Sequence, residues 1–455
     1  MKLTLSEIAK VVDSVQTLSD AEDVPIVSIE FDSRKVTKGS LFVPLKGTRN
    51  GHDFIETAFL NGAVATLSEH PLENVTYILV DDCLQALQKL AAYYLEKMRV
   101  DVIAVTGSNG KTSTKDMIAS VLETTYKTYK TQGNYNNEIG LPYTILHMPD
   151  DTEKIVLEMG QDRMGDIHLL SLLAKPRIAV VTLIGEAHLA FFGSRDQIAK
   201  GKLQIVDGMD SNGIVLLPND PVLDPYLPTE QKVITFGQNA ELQVQEVVEY
   251  KDSLTFKCNV MERAIKLPVT GKYNATNAMI ATYVGKLLAV ADEDIKDALE
   301  HITLTKNRTE WKKAKNGADI LSDVYNANPT AMRLILETFS AVSKEPSGKK
   351  IAVLADMKEL GEQSRNLHNQ MIMSLSPDTI DTLVCYGEDI AGLANLASQI
   401  FPIGKVYYFK KTVTEDQMNE MIQLLESILG PTDQILLKGS NSMHLDKVVA
   451  SLEGK

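Results

Sequence analysis

The stretch DVIAVTGSNGKTSTK, residues 101–115, constrains the fold more than any other part of the chain. Val102 to Val105 is a short apolar, β-branched run, the profile of a buried parallel strand. It breaks at Gly107, passes Ser108 and Asn109 to Gly110, then enters Lys111, Thr112 and a helical run to about Thr124. Strand, glycine loop, Lys-Thr and helix together make a phosphate cradle. Backbone N–H groups and the positive helix end meet the anion, Lys111 neutralises charge, and the hydroxyls of Thr112 and Ser113 lie where Mg²⁺ and phosphate come. The usual G-x-x-x-x-G-K-[ST] pattern would place glycine at Val105, so the loop is a variant. An ordinary strand-to-helix turn is the competing account, and the flanks on both sides favour a nucleoside triphosphate site.

A chain of 455 residues is too long for one core and predicts about three domains. A net charge of −14 argues against a nucleic-acid partner, which would need a basic face to displace counterions. Cys83, Cys258 and Cys385 are scattered, without metal or redox spacing, which suits a reducing compartment. MKLTLSEIAK has no signal-peptide core, and runs such as Ile178 to Ile184 are too short to span a bilayer. The expectation is a cytoplasmic protein without membrane insertion.

Domain spans of 1–99, 100–312 and 313–455 follow from the patterning. In the first, Val27–Phe31, Leu41–Leu45 and Tyr77–Val80 read as strands and Asp82–Met98 as an amphipathic helix. In the second, Lys154–Leu157 and Arg177–Leu183 are buried strands beside the cradle, 241–260 alternates like a solvent-facing hairpin, and Thr276–Val290 is helical. LTKNRTEWKKAKNG, 304–317, reads as a charged junction with mostly solvated lysines. In the third, strands Lys350–Leu354, Asp381–Cys385, Val406–Phe409 and Gln434–Lys438 alternate with helices, as in a doubly wound parallel sheet. The fold class is α/β throughout: a small N-terminal domain, a central ATPase-type mostly parallel sheet, and a C-terminal Rossmann-like sheet.

Glu158 ends an apolar strand beside the loop, where a carboxylate can hold Mg²⁺, a reading preferred to the competing one of a solvent-facing strand end. His188 follows another strand, with Lys200 and Lys202 shortly after; a structural histidine and a solvated helix face compete with a site. Asn134, Asn136 and Asn137, and later Asn326 and Asn328, offer uncharged donors and acceptors for a sugar or peptide, against the alternative of Asx turns. Asp32-Ser33-Arg34 and Lys46 are polar interruptions of the first strands, and taken alone they read as surface turns rather than a site.

The segments TGSNGKTSTK, GNYNNEIGLP, VLEMGQ, GEAHLAFFGS with IAKGK, TGKYNATNA, NRTEW and DVYNANP stand in an order that resembles the Mur ligase family over essentially the whole chain. LFVPLKGTRNGHDF, ADMKELGEQS and LLKGSNS resemble the member that joins D-alanyl-D-alanine to UDP-N-acetylmuramoyl-tripeptide. The resemblance implies ATP-driven ligation through an acyl phosphate, in which stabilising charge is the protein's main task. It implies Lys111 at the transferring phosphate, Thr112 and Glu158 at ATP-bound Mg²⁺, and His188 and Lys202 at a second Mg²⁺. Since an ammonium cannot ligate a cation, it further implies a CO₂-derived carbamate on the lysine, at Lys202 in preference to Lys200. Asn274 would lie near adenine, Arg308 at the γ-phosphate and Asp323 near ribose. Asp32, Ser33, Arg34 and Lys46 would line the UDP pocket, and the third domain would close on ATP and take the dipeptide. A monomer is the expected state, and residue three of the peptide stays open between L-lysine and a diaminopimelate. Two other readings compete: the family member that adds the third amino acid, and a nucleotide-binding regulatory protein without turnover. Against the first stands DVYNANP; against the second, the intact set Lys111, Thr112, Glu158, His188 and Lys202.

Overall fold

The computed structural model describes residues 3–14, 23–305, 309–414 and 416–455. It is an α/β protein of three lobes. In the first, strands Ser28–Glu30, Ser40–Phe42, Ala63–Ser68 and Tyr77–Leu79 form a parallel sheet in that order. Helix Cys83–Met98 packs its apolar stripe, Leu87, Leu90, Ala91 and Tyr94, into the core. Asp82 starts it by accepting the Gln85 N–H at 2.8 Å, one of the four backbone donors that a helix start leaves unpaired.

The central lobe carries six parallel strands in the order Lys232–Phe236, Ile214–Pro218, Ile178–Val181, Asp101–Thr106, Lys154–Glu158 and Thr128–Lys130. The strand that feeds the cradle thus has a neighbour on each side and is buried from Val102 onward. Parallel strands covered on both faces need continuous apolar sequence, which is why the four inner segments show no alternation. All their C-termini open on one edge, where ligands of such sheets bind. Helix Lys111–Glu123 lies against helix Tyr273–Leu287, which starts three residues before the expected Thr276.

Two expectations need correction. The 241–260 hairpin is two strands of a three-stranded antiparallel sheet, Val244–Glu249, Leu254–Cys258 and Met261–Leu267. Its inner residues Leu254, Phe256, Ile265 and Leu267 join the core beside helix Tyr273–Leu287, so only one face is wet. The 304–317 junction is not all solvated linker either: Glu310–Lys313 pairs antiparallel with Asp319–Asp323 as an edge strand. Trp311 Nε1 donates to Thr270 Oγ1 at 2.8 Å, and Lys313 meets Asp319 at 2.8 Å. Lysines on an edge strand discourage further pairing, which explains the charged composition.

The C-terminal sheet continues from that strand through Asp319–Asp323, Gln434–Lys438, Lys350–Ala355, Thr382–Tyr386 and Val406–Phe409, all parallel. Cys83, Cys258 and Cys385 are buried free thiols. Among the described residues, no helix is long and apolar enough to cross a membrane.

Candidate active site

The loop after strand Asp101–Thr106 is shaped by what surrounds it. Gly107 takes φ +149°, and a Cβ there would fall 2.0 Å from Thr182 Oγ1. Gly110, at φ +82°, opens helix Lys111–Glu123. The hydroxyl of Ser108 accepts the Gly185 N–H at 2.9 Å, and Thr182 donates to the Asn109 carbonyl at 2.5 Å. The loop is therefore fastened to the neighbouring strand end, and its backbone shape is set before any anion arrives. Lys111 Nζ donates to the Gly107 carbonyl at 2.8 Å, folding back across the loop.

Glu158 ends the strand on the other side, with 2 % of its surface exposed. Thr112 Oγ1 donates to one carboxylate oxygen and Asn136 Nδ2 to the other, each at 2.9 Å. The Glu158 N–H in turn donates to Thr131 Oγ1 at 3.0 Å. A carboxylate and a hydroxyl side by side are hard oxygen donors of the kind Mg²⁺ takes, with phosphate oxygens and water completing its six positions. Among the described residues, no group of three His, Cys, Asp or Glu could hold a metal unaided. This donor set fits a cation that arrives with a nucleotide.

His188 lines the same cleft, at φ +61°. A carboxylate oxygen of Glu359 lies 2.7 Å from its Nδ1 but outside hydrogen-bonding alignment. Burial lowers the His188 pKa, the Glu359 charge opposes that, and Lys111 and Lys202 add to the lowering. Lys202 is 2 % exposed, whereas Lys200 is exposed. Burial, then the Lys111 charge, holds the Lys202 amine well below the usual lysine range, with Asp162 opposing. Among the described residues, its Nζ has no hydrogen-bond or ion-pair partner.

The cleft is lined by Ser108, Asn109, Gly110, Lys111, Ser113, Asn134, Asn136, Glu158 and His188 from the central lobe, and by Asp323, Asn326 and Lys438 from the C-terminal one. Asp323 accepts from Lys438 Nζ at 2.6 Å. Asn274 lies in a second cavity with Thr270, Leu304 and Trp311, joined to the first through Ser113 and Thr309. Its amide is engaged, donating to the Thr270 carbonyl at 2.8 Å and accepting from Asn277 at 3.1 Å.

Some expected site residues do other work. Asn137 accepts the N–H groups of Ile139 and Gly140 at 3.3 and 2.9 Å, starting helix Gly140–Leu146. Asn328 caps helix Pro329–Ala341 through the Ala331 N–H at 2.9 Å and shares a reciprocal amide pair with Asn109, at 2.9 and 3.1 Å. Asx capping, weighed as the alternative, describes both. Arg308 lies outside the described residues. Asp32 and Arg34 pair with each other at 2.8 Å, and that contact draws the Asp32 carboxyl down to about 2. The Ser33 carbonyl accepts from Asn61 at 2.8 Å. Lys46 pairs with Glu69, and no described hydrogen bond or ion pair joins it to Asp32, Ser33 or Arg34. None of these four lines the cleft. Sequence reasoning passed over Gln161, Tyr273, Glu186, Glu359 and Lys438. Gln161 was in view at the end of VLEMGQ, but a neutral amide carries no signal until its partners are counted.

A parallel sheet whose phosphate cradle is roofed by a second sheet defines a nucleotide-binding protein of the P-loop kind. Family models sharpen that class: Mur ligase family, catalytic domain matches residues 25–95, Mur ligase middle domain 105–285, and Mur ligase, glutamate ligase domain 307–441. A UDP-N-acetylmuramoyl-tripeptide–D-alanyl-D-alanine ligase of Bacillus subtilis is 38% identical over 458 residues, 99% of this chain and 98% of the relative. The crystal structure of MurF from Acinetobacter baumannii superposes with a TM-score of 0.87 at 27% identity, covering 100% of this chain and 99% of that one. MurF from Thermotoga maritima in complex with ADP gives 0.82 at 28% identity, covering 96% and 99%. The chain belongs to the Mur ligase family, ATP-dependent enzymes that form amide bonds.

Proposed function

We propose that the chain joins D-alanyl-D-alanine to UDP-N-acetylmuramoyl-tripeptide at the expense of ATP, giving a pentapeptide precursor of peptidoglycan. The observation that carries this reading is the single cleft that gathers Lys111, Glu158 and His188 with Asp323 and Lys438 of another lobe. Full-length similarity to ligases of that name supports it. A peptide carboxylate oxygen attacks the γ-phosphorus, and the bond to the leaving ADP oxygen breaks with its electron pair. The dipeptide amine then adds to the acyl carbon, the bond to phosphate breaks, and the amine gives up a proton. Phosphorylation turns a poor leaving group into a good one, so positioning and charge stabilisation carry the catalysis.

Lys111 and the loop N–H groups of 107–113 hold phosphate, and Thr112 with Glu158 holds Mg²⁺. The second cavity, with Asn274, takes the adenine, and Asp323 meets the ribose. Arg308 faces the γ-phosphate. Asn134 and Asn136 face the peptide, and the segment with Asn326 faces the incoming dipeptide. The first lobe, with Asp32, Ser33, Arg34 and Lys46, takes the UDP moiety. Lys202 carries a carbamate: a buried neutral amine adds to CO₂, forming a C–N bond and releasing one proton. With His188, that anion serves a second Mg²⁺. The enzyme acts as a monomer in the cytoplasm.

The test supplies ATP, Mg²⁺ and UDP-N-acetylmuramoyl-tripeptide and follows phosphate release with and without D-alanyl-D-alanine. Sustained release that requires both substrates is expected. Release that instead requires a free diamino acid and the dipeptide precursor, or no release at all, overturns the reading.

A further inference from the structure

Gln161 is a buried amide, 5 % exposed, and among the described residues neither its Oε1 nor its Nε2 has a hydrogen-bond partner. Burying an amide without partners is unfavourable, and native structures keep few such groups unless a ligand completes them. Its backbone is not free to relieve this. On the way into the segment, the Met159 N–H donates to the Val105 carbonyl and the Gly160 N–H to the Asn136 carbonyl, each at 2.8 Å. Gln161 then lines the cleft beside Glu158, Asp162 and His188.

What it abuts is the helix that carries Lys202. Gly201 lies inside helix Arg195–Leu203, where glycine is a poor helix former. A Cβ at Gly201 would fall 3.0 Å from Gln161 Oε1 and 3.2 Å from Nε2, so the glycine leaves room for that amide. Gln161-Asp162 therefore lies against Gly201-Lys202, with Asp162 close enough to act on the Lys202 amine. Among the described residues neither the Gln161 amide nor the Lys202 amine has a partner, and the amide packs against Gly201, the helix position next to Lys202.

We propose that Gln161 is the positioning residue for a carbamate on Lys202, an inference that rests on the carbamate reading above. A carbamate presents an N–H beside carboxylate oxygens, a donor next to acceptors. The Gln161 amide presents the complement, Oε1 to accept and Nε2–H to donate. Carbamylation would thus satisfy both of its unpaired atoms at once with a paired N–H and carboxylate oxygen, which the single nitrogen of a bare amine does not supply. Formation is balanced: the Lys202 nitrogen adds to the carbon of CO₂, one proton leaves, and Gln161 holds the product without exchanging protons.

The experiment titrates the full chain with ¹³C-bicarbonate and follows the carbamate carbon by NMR, with Lys202→Ala defining the signal. The wild type is expected to show one resonance that Lys202→Ala lacks. Gln161→Met, similar in length and without polar hydrogens, should need on the order of tenfold more bicarbonate for half occupancy. Its melting temperature without bicarbonate should equal or exceed that of the wild type, because no hydrogen bond is lost. Gln161→Glu, which sets a like charge against the carbamate, should be at least as impaired. Wild-type occupancy by both variants overturns the role of Gln161 and leaves the carbamate standing. A lower melting temperature with unchanged bicarbonate dependence marks a structural residue and also overturns it. Absence of the resonance from the wild type overturns the carbamate itself.

Discussion

Glu158 shows how much one side chain must satisfy at once. It is a buried carboxylate with a hydroxyl donor on one oxygen and an amide donor on the other. Glu158→Gln replaces one acceptor by an NH₂ group, which then faces either the Thr112 hydroxyl or the Asn136 amide. The Thr112 hydroxyl can turn to accept from it while the remaining oxygen keeps the Asn136 bond, so stability should change by no more than about 1 kcal/mol, read as a nearly unchanged melting temperature. Losing the charge should lower kcat on the order of 10²-fold or more, with the Mg²⁺ concentration for half activity raised. A variant as active as the wild type at low Mg²⁺ would remove Glu158 from the metal site. Glu158 was legible in sequence because an apolar strand ending in a carboxylate beside a glycine loop has few uses. Asn137 and Asn328 were not, since capping and ligand binding use the same amide and only the backbone N–H positions separate them. In sequence Lys202 stood above Lys200 by its spacing from His188, and burial now separates the two.

At the scale of elements, many strand and helix positions followed from periodicity, while the short apolar strands Ala63–Ser68 and Ile214–Pro218 were passed over and charge hid another. Glu310–Lys313 is short, lysine-rich and on an edge, so it reads as linker until its partner strand is seen. Helix Pro329–Ala341 illustrates what sequence does not reveal about an element. Its start is held by Asn328, and its end by a lysine from the following strand: Lys350 Nζ donates to the carbonyls of Phe339 and Ser340 at 2.6 and 2.9 Å, and to that of Val342. These are orphan carbonyls of a helix terminus. Burial, with Lys344 adding to it, brings the Lys350 pKa down to about 8. In the unfolded chain the same amine keeps its proton to about pH 10.4. Between those values the unfolded state binds more protons, so stability rises with pH on this residue's account. Lys350→Met should therefore destabilise by about 1–3 kcal/mol near neutrality and by more near pH ~9.5, measured by urea unfolding at each pH. An equal penalty at both would show that the amine titrates normally.

For the whole molecule, the cleft exists because two lobes meet, and specific polar contacts help to join them. Asn109, in the phosphate loop, exchanges two amide hydrogen bonds with Asn328, while Glu186 accepts from the Thr330 hydroxyl at 2.7 Å and its N–H at 3.2 Å. The Ala190 N–H donates to the Glu359 carbonyl at 2.8 Å. The C-terminal lobe keeps an apolar core of its own around Ile320, Val353, Val384, Leu425 and Ile435, so weakening the junction need not unfold it. Closure of this kind excludes water from a reactive acyl phosphate and completes the site only when both lobes are in place. Replacing Asn328 and Thr330 together by alanine removes the reciprocal pair and the hydroxyl bond while leaving Lys111, Glu158 and His188 untouched. The double variant should show a larger radius of gyration by X-ray scattering without nucleotide, and ATP with Mg²⁺ should restore compactness. Because part of the binding energy is then spent on closing the lobes, KM for ATP should rise several-fold, with a smaller change in kcat at saturation. An unchanged radius together with an unchanged KM would mean that the remaining contacts hold the lobes, and that the amide pair merely tracks a closure fixed elsewhere.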